Sequence, residues 1–184
     1  MAARPRRTER RKPLRLACWN AEGVRGRKLE LEHFLSQHGV DICLLSETFL
    51  NPEQNFRLAN YVCYRTDRPT LADGTAILVR RGIVHHSVPV LGFTHLEATD
   101  IQVTLAGRPV VVLAAYLSPS RPLIGADLAA CFGGGLPVLM AGDLNGKHVD
   151  WNSRLSTRRG KLLRDYADEN SCLIFGPDSP ITNP

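Results

Sequence analysis

The stretch LPVLMAGDLNGKHVDW (136–151) drives an apolar run straight into Gly-Asp-Leu-Asn, then Gly, Lys and His. Asp143 and Asn145 offer a carboxylate and a carboxamide two residues apart at the end of a strand. If the extended backbone continues through them, their side chains share one face and Leu144 turns inward. Three other apolar runs finish in a similar way: LRLACW on Asn20, DICLLS on Glu47 and VVVLAA on Tyr116. Phosphodiester hydrolysis needs such groups: a base for the attacking water, a hard cation on phosphate oxygens, and neutral donors for developing charge. Glu47 suits the metal, Asp143 the water, and the Asn and Tyr groups the phosphate. Mg²⁺ takes oxygen ligands, often only one or two carboxylates with water and substrate completing the set. Each residue also has a plainer reading. Asp143 and Asn145 are common turn residues, Glu47 could open a helical turn, Tyr116 could be a core aromatic, and Asn20 could satisfy a local turn.

These residues need rigid elements behind them. Alternation makes 14–20 a strand, and Leu31, Phe34, Leu35 and His38 make 27–39 a helix closed by Gly39. Short apolar runs at 41–47, YVCYRT, TAILVRR, IVHHSVPV, EATDIQVTL and PVVVLAAYL read as strands, the last two as a hairpin through AGRP (106–109). DLAACF (127–132) and 157–171 read as helices, the second with Leu162, Leu163 and Tyr166 on one face, and CLIF (172–175) as a further strand. Strand–helix–strand at both ends, with antiparallel strands between, predicts two packed sheets with helices outside. GGG at 133–135 lacks the Lys-Ser/Thr of a phosphate-binding loop and reads as a connection. Arg80–Arg81 and Arg158–Arg159 read as solvated faces, and Trp151 as packing locally.

The chain has 184 residues, 43% hydrophobic and 22% charged, which suits one domain with a real core. No apolar run approaches the roughly 20 residues of a membrane helix, and no apolar segment follows the charged N-terminus as in a secretory signal. The expected location is nuclear or cytoplasmic, not secreted, and no membrane or obligate protein partner is expected. Residues 1–15 hold seven Arg or Lys and one Glu, a net of +6 in a chain whose total is +5. The basicity is therefore a tail (1–13, read as disordered), able to meet phosphate backbones or serve as a nuclear address. Residues 14–184 form the domain. Five widely spaced cysteines, mostly in apolar runs, argue for reduced core thiols rather than disulfides or zinc.

Taken in order, LRLACWNAEG, DICLLSET, DGTAILVRRG, VVVLAAYLSPS and LPVLMAGDLNGKHVDWNS resemble the endonuclease/exonuclease/phosphatase superfamily, the apurinic-endonuclease-like and DNase-I-like group. The likeness spans about residues 14–183. GDLN followed by a spaced His and Trp-x-Ser, then STRRGKLLRDYADEN and SPITNP, most resembles the endonuclease domain of jockey-type non-LTR retrotransposons.

The resemblance implies an α/β fold: a four-layer α/β/β/α sandwich of two packed mixed sheets flanked by helices. It also implies a divalent metal, Mg²⁺ (or Mn²⁺), and DNA as the partner. By position, Glu47 and Asn20 match the metal-binding pair. Tyr116 matches the tyrosine on the scissile phosphate, Asp143 the aspartate that positions or deprotonates water, and Asn145 the asparagine that orients phosphate. His148 and Thr182 are carried over from the transposon subgroup, His148 as a substrate contact. In such elements the enzyme nicks one genomic strand and the freed 3′-hydroxyl primes reverse transcription.

The family pattern goes on to a further strand and a Ser-Asp-His segment, which this sequence does not contain. The expectation is a domain incomplete at its C-terminus, lacking its last strands. None of the six histidines lies in the matching context. Two alternatives follow: an inactive fragment that binds nucleic acid through its basic tail, or a phosphatase or phosphodiesterase of the same superfamily acting on a small phosphoester.

Overall fold

The computed structural model describes residues 13–69, 72–88 and 92–176; the basic tail up to residue 12 and Thr182 lie outside them. Its elements in chain order are β1 (Leu16–Asn20), α1 (Lys28–His38), β2 (Ile42–Ser46), β3 (Tyr61–Thr66), β4 (Thr75–Arg80), β5 (His85–Ser87), β6 (Glu97–Leu105), β7 (Arg108–Tyr116), α2 (Gly125–Phe132), β8 (Val138–Asp143) and α3 (Arg158–Glu169). A single 3₁₀ turn, Val149–Trp151, lies between β8 and α3.

The strands form two four-stranded sheets, ordered β1-β2-β4-β3 and β5-β6-β7-β8. Each sheet has one parallel pair at one edge, β1 with β2 and β7 with β8, and is antiparallel elsewhere. A parallel pair needs a crossover, and α1 and α2 supply the two crossovers. The β6–β7 hairpin turns on Ala106 and Gly107, both at positive φ (49° and 82°). That is the geometry a two-residue turn needs to match the strand twist.

The core follows from the alternation of side chains. Ile42, Leu44, Ile77 and Val79 of the first sheet pack on Ile101, Val103, Val112 and Ala114 of the second. The outer face of the first sheet, with Cys43, Leu45, Ala76 and Leu78, is covered by Leu31 and Leu35 of α1. The outer face of the second, with Ala98, Leu113 and Ala115, is covered by Leu128 and Cys131 of α2 and by Leu162, Leu163 and Tyr166 of α3. The result is the expected helix–sheet–sheet–helix stack. Burial raises the Cys43 and Cys131 thiols to about 12, so these two are unreactive core groups. Cys18 lies exposed on its edge strand, yet burial of its thiol, with the charge of Asp143, pushes it up as well, to about 11.

Three local expectations need correcting. Residues 172–175 are not a strand: Leu173 and Phe175 are 82% and 88% exposed, and Cys172 spends its N–H on the Ala167 carbonyl at the end of α3. An apolar, β-branched run becomes a strand only where an edge receives it, and none of the described strands does. Of the expected strand at 83–90, the described residues 83–88 form only the three-residue β5, and residues 89 and 90 lie outside the described residues. Within it His85 sits edge-on to Tyr64, while His86 faces solvent. Finally, Phe34 of α1 is 43% exposed and stacks on His38 at 4.6 Å instead of entering the core. No helix among the described residues is long and apolar enough to cross a membrane.

Candidate active site

Parallel pairing decides what meets what. Asn20, the last residue of β1, is in register with Ser46, so Glu47 follows immediately beside it. Tyr116, the last residue of β7, is in register with Asp143, the last of β8. Both parallel pairs end at the same end of the sandwich, and one amide joins them. Asn20 Nδ2 donates to Glu47 Oε1 at 2.8 Å and to Asp143 Oδ2 at 3.2 Å, crossing from one sheet to the other. The Asn20 Oδ1 accepts from the Glu22 N–H at 3.3 Å. Asn20 therefore turns its N–H toward the carboxylates and serves a local turn with its oxygen. It orients the two acids, and only that partly used oxygen is left to it as a metal donor.

Tyr116 is buried against the same charge. Burial, then the negative charge of Glu47 and a hydrogen bond to it, then Asp73 and Asp143, push its phenol well above the ordinary tyrosine value. It is a neutral donor at any physiological pH. Among the described residues neither Glu47 nor Asp143 forms an ion pair with Lys, Arg or His. Two carboxylates sharing one amide, with no cation between them, leave negative charge uncompensated. The donors are all oxygen, which suits a hard divalent cation taking one or two carboxylates and drawing its remaining ligands from water and substrate. No group of three or more His, Cys, Asp and Glu among the described residues is arranged to hold a metal. The donor set fits Mg²⁺ or Mn²⁺ and does not fit a closed zinc-type cage.

Glu47 holds its place through strained backbone. Its φ is +50°, which a glutamate adopts only where the surroundings over-determine it. They do so here: the Glu47 carbonyl accepts from Gly23 N, the Thr48 N–H donates to the Gly74 carbonyl, and the Phe49 N–H to that of Asp73. Asp73 is itself at φ +59° and is tied through Arg68 to Glu97, whose other oxygen accepts from Gly74 N at 2.8 Å. It is a third carboxylate beside Tyr116 that the sequence reading did not single out. Its only signal was the Asp of DGT, which reads as a turn.

Asn145 arrives differently than expected. The extended backbone stops at Asp143, and Asn145 turns left-handed at φ +50°. Its N–H donates to Asp143 Oδ1 at 2.8 Å and its Nδ2 to the Leu117 carbonyl at 3.1 Å. Asp143 and Asn145 thus form an Asx turn that also bridges β8 to the end of β7, and Leu144 does pack inward. Among the described residues, no hydrogen bond joins His148 to Asn20, Glu47, Tyr116, Asp143 or Asn145. Its Nδ1 accepts from the Asp150 N–H at 3.1 Å and its ring lies 4.9 Å from that of Trp151, so it caps the 3₁₀ turn. Trp151 packs locally as expected, its indole N–H on the Gly146 carbonyl at 2.9 Å. No histidine among the described residues is hydrogen-bonded to Asn20, Glu47, Tyr116 or Asp143.

The glycine before Asp143 is required by close approach. A Cβ on Gly142 would lie 1.8 Å from the Ala115 carbonyl oxygen. Gly142→Ala therefore forces β8 off β7 next to Tyr116 and Asp143, and we expect it to cost about 2–3 kcal/mol, the upper range for overpacking. Urea unfolding monitored by circular dichroism measures this; an unchanged midpoint would mean that the two strands are not so closely paired.

Comparison with known proteins agrees with this geometry. Residues 17–184 match the family model described as the endonuclease/exonuclease/phosphatase family. The chain is 28% identical over 170 residues to the RNA-directed DNA polymerase from mobile element jockey of Drosophila melanogaster, a match covering 91% of this chain and 19% of that protein. The chain thus spans about a fifth of the length of that relative. The endonuclease domain of TRAS1, a telomere-specific non-LTR retrotransposon, superposes with a TM-score of 0.69 at 18% identity, over 85% of this chain and 70% of that one. TDP2 of D. rerio, in complex with a single-stranded DNA product, superposes with a TM-score of 0.53 at 18% identity, over 74% of this chain and 62% of that one. With two mixed sheets between helices, strand-end polar groups meeting at one end, and a family match along nearly the whole described chain, this protein belongs to the endonuclease/exonuclease/phosphatase family.

Proposed function

We propose that this chain is a metal-dependent DNA-nicking endonuclease domain of a non-LTR retroelement, whose nick supplies the 3′-hydroxyl that primes reverse transcription. The observation that carries the reading is the Asn20 amide held between Glu47 and Asp143, with the Tyr116 phenol against the same charge. The jockey and TRAS1 likenesses support the retroelement lineage, and the single-stranded DNA product on TDP2 supports DNA as substrate. The net +6 of residues 1–15 adds a sequence-independent attraction to phosphate.

Glu47 would hold the metal, with Asn20 chiefly keeping Glu47 and Asp143 in place. A bound divalent cation supplies Lewis-acid polarisation of a phosphoryl oxygen. The chain's own groups do the rest. Asp143 accepts the proton of the attacking water, while its other oxygen stays on the Asn145 N–H. Tyr116, held protonated, donates a hydrogen bond to a phosphate oxygen as charge builds there. Asn145 keeps one amide hydrogen on Leu117 and has the other to offer the phosphate.

The test is conversion of supercoiled plasmid to open circles with Mg²⁺, beside EDTA and Asp143→Ala controls. Nicking abolished by both controls supports the reading. A folded protein that leaves the plasmid supercoiled with Mg²⁺ and with Mn²⁺ overturns it. Cleavage of small phosphoesters without plasmid nicking would move the substrate to the phosphatase side of the family.

A further inference from the structure

Arg159, in the first turn of α3, is half-buried and spends its guanidinium on main-chain carbonyls rather than reading as a solvated face. Its Nη1 donates to the carbonyls of Leu144 (3.2 Å) and Asn145 (3.4 Å). Its Nη2 reaches the carbonyls of Ser118 (3.3 Å), Pro119 (3.3 Å) and Arg121. One guanidinium thus gathers main-chain oxygens from two loops, the one that follows Tyr116 and the one that follows Asp143. A planar, permanently charged fork is the side chain suited to such a gathering; an ammonium, a point charge with three hydrogens, cannot span both loops in one plane.

The start of α3 is pressed onto the same loop. Thr157 accepts from Gly160 N (3.1 Å) and from Lys147 N (3.2 Å), and its own N–H donates to the Lys147 carbonyl at 2.9 Å. A Cβ on Gly160 would lie 1.9 Å from that carbonyl oxygen. The contact fixes where the Arg159 side chain begins. At its far end, Arg159 holds the carbonyl of Asn145, whose N–H is on Asp143 and whose Nδ2 is on Leu117. Three of the four polar groups of Asn145, its N–H, its carbonyl and its Nδ2, are therefore engaged, at a residue in left-handed backbone.

We propose that Arg159 is a positioning residue for the nuclease site: it acts through Asn145, fixing that amide relative to Tyr116 by tying the 117–121 and 144–145 segments together. The assignment rests on the nuclease reading for its rate consequence, and on the hydrogen bonds alone for its structural one. Positioning groups of this kind govern rate because small misplacements of a donor are costly in the transition state.

The experiment has two arms on the full chain. In the first, amide hydrogen exchange is followed by mass spectrometry on wild type and Arg159→Gln. We expect at least tenfold faster exchange in peptides covering 117–121 and 144–147, with the β2 and β4 peptides unchanged. Unchanged exchange in the two loops overturns the clamp; loss of protection throughout the protein also overturns it, since Arg159 would then support the whole fold. The second arm is a double-mutant cycle in plasmid nicking. Arg159→Gln should lower kcat tenfold or more with little change in KM, and should cost nothing further in an Asn145→Ala background. Additive losses, or a loss confined to KM, overturn the action through Asn145. Absence of nicking by wild type would count against the nuclease reading alone, while the exchange arm still decides the clamp.

Discussion

Asp143→Asn is expected to slow plasmid nicking about 10³-fold, within the range for removal of a general base, while hardly changing the stability of the fold. The two parts of this expectation come from different atoms. The reactivity belongs to the negative charge, which an amide lacks. The stability belongs to two hydrogen bonds, from Asn20 Nδ2 to one oxygen and from the Asn145 N–H to the other. An asparagine keeps one acceptor and loses one bond, costing about 1 kcal/mol. Against that, it ends the repulsion between two carboxylates held on one amide, with no cation paired to them among the described residues, a term of the same order for groups near the surface. The net should lie within about 1 kcal/mol of zero. Thermal unfolding without metal and nicking with Mg²⁺ give the two readings. A variant that nicks within tenfold of wild type would show that Asp143 does not take the proton. A variant that loses rate only in proportion to lost folded protein would make Asp143 a structural turn residue.

Four of the site residues were legible because they obey a strand's rules. Asn20, Glu47, Tyr116 and Asp143 each end an apolar run, and such ends are rigid positions where side chains can converge. What the runs could not convey was the pairing register, yet it is the register of Asn20 with Ser46 and of Tyr116 with Asp143 that aligns them. Asn145 was identified with the wrong backbone. Asp-x-Asn is compatible with an extended strand or an Asx turn, and only the neighbouring Leu117 carbonyl decides for the turn. Arg159 was illegible for a more general reason: its partners are main-chain oxygens up to 41 residues away, and a carbonyl acceptor leaves no mark on residue type. Asp73 was hidden in the same way, because Asp-Gly reads as a turn whatever stands beside it. The run 172–175 failed in the opposite direction. Its apolar residues satisfied a strand pattern, but β-propensity expresses the fit to a neighbour, and the described chain offers that segment none.

Glu47→Gln is the sharper test of the metal, because glutamine keeps the shape and the acceptor that Asn20 uses while removing the charge and turning the second oxygen into a donor. In wild type, Mg²⁺ at 100 times its dissociation constant should raise folding stability by about 2.7 kcal/mol through mass action. The variant should show almost none of that rise, and its nicking should fall at least 100-fold, recovering in part at higher metal concentration. A second signature needs neither metal nor DNA. After burial, the charge of Glu47 and the hydrogen bond to it are the largest causes that hold the Tyr116 phenol above its ordinary value. Removing the charge must let that value fall, though not all the way, since burial and the charges of Asp73 and Asp143 persist. The sign for stability follows. A phenol whose folded value is raised adds stability that is complete below its unfolded value near 10 and is lost as pH climbs through the folded one. Glu47→Gln should therefore lose less stability than wild type between about pH 10 and 12. Alkaline titration followed at the tyrosinate absorbance, with Tyr116→Phe to identify the band, reads the shift directly. If Tyr116 titrates alike in both proteins, the phenol does not sit on the Glu47 charge, and the site as drawn at this end of the sandwich is wrong. If it shifts while Mg²⁺ stabilises both proteins equally, the carboxylate is where the structure places it, but the metal is held by other groups.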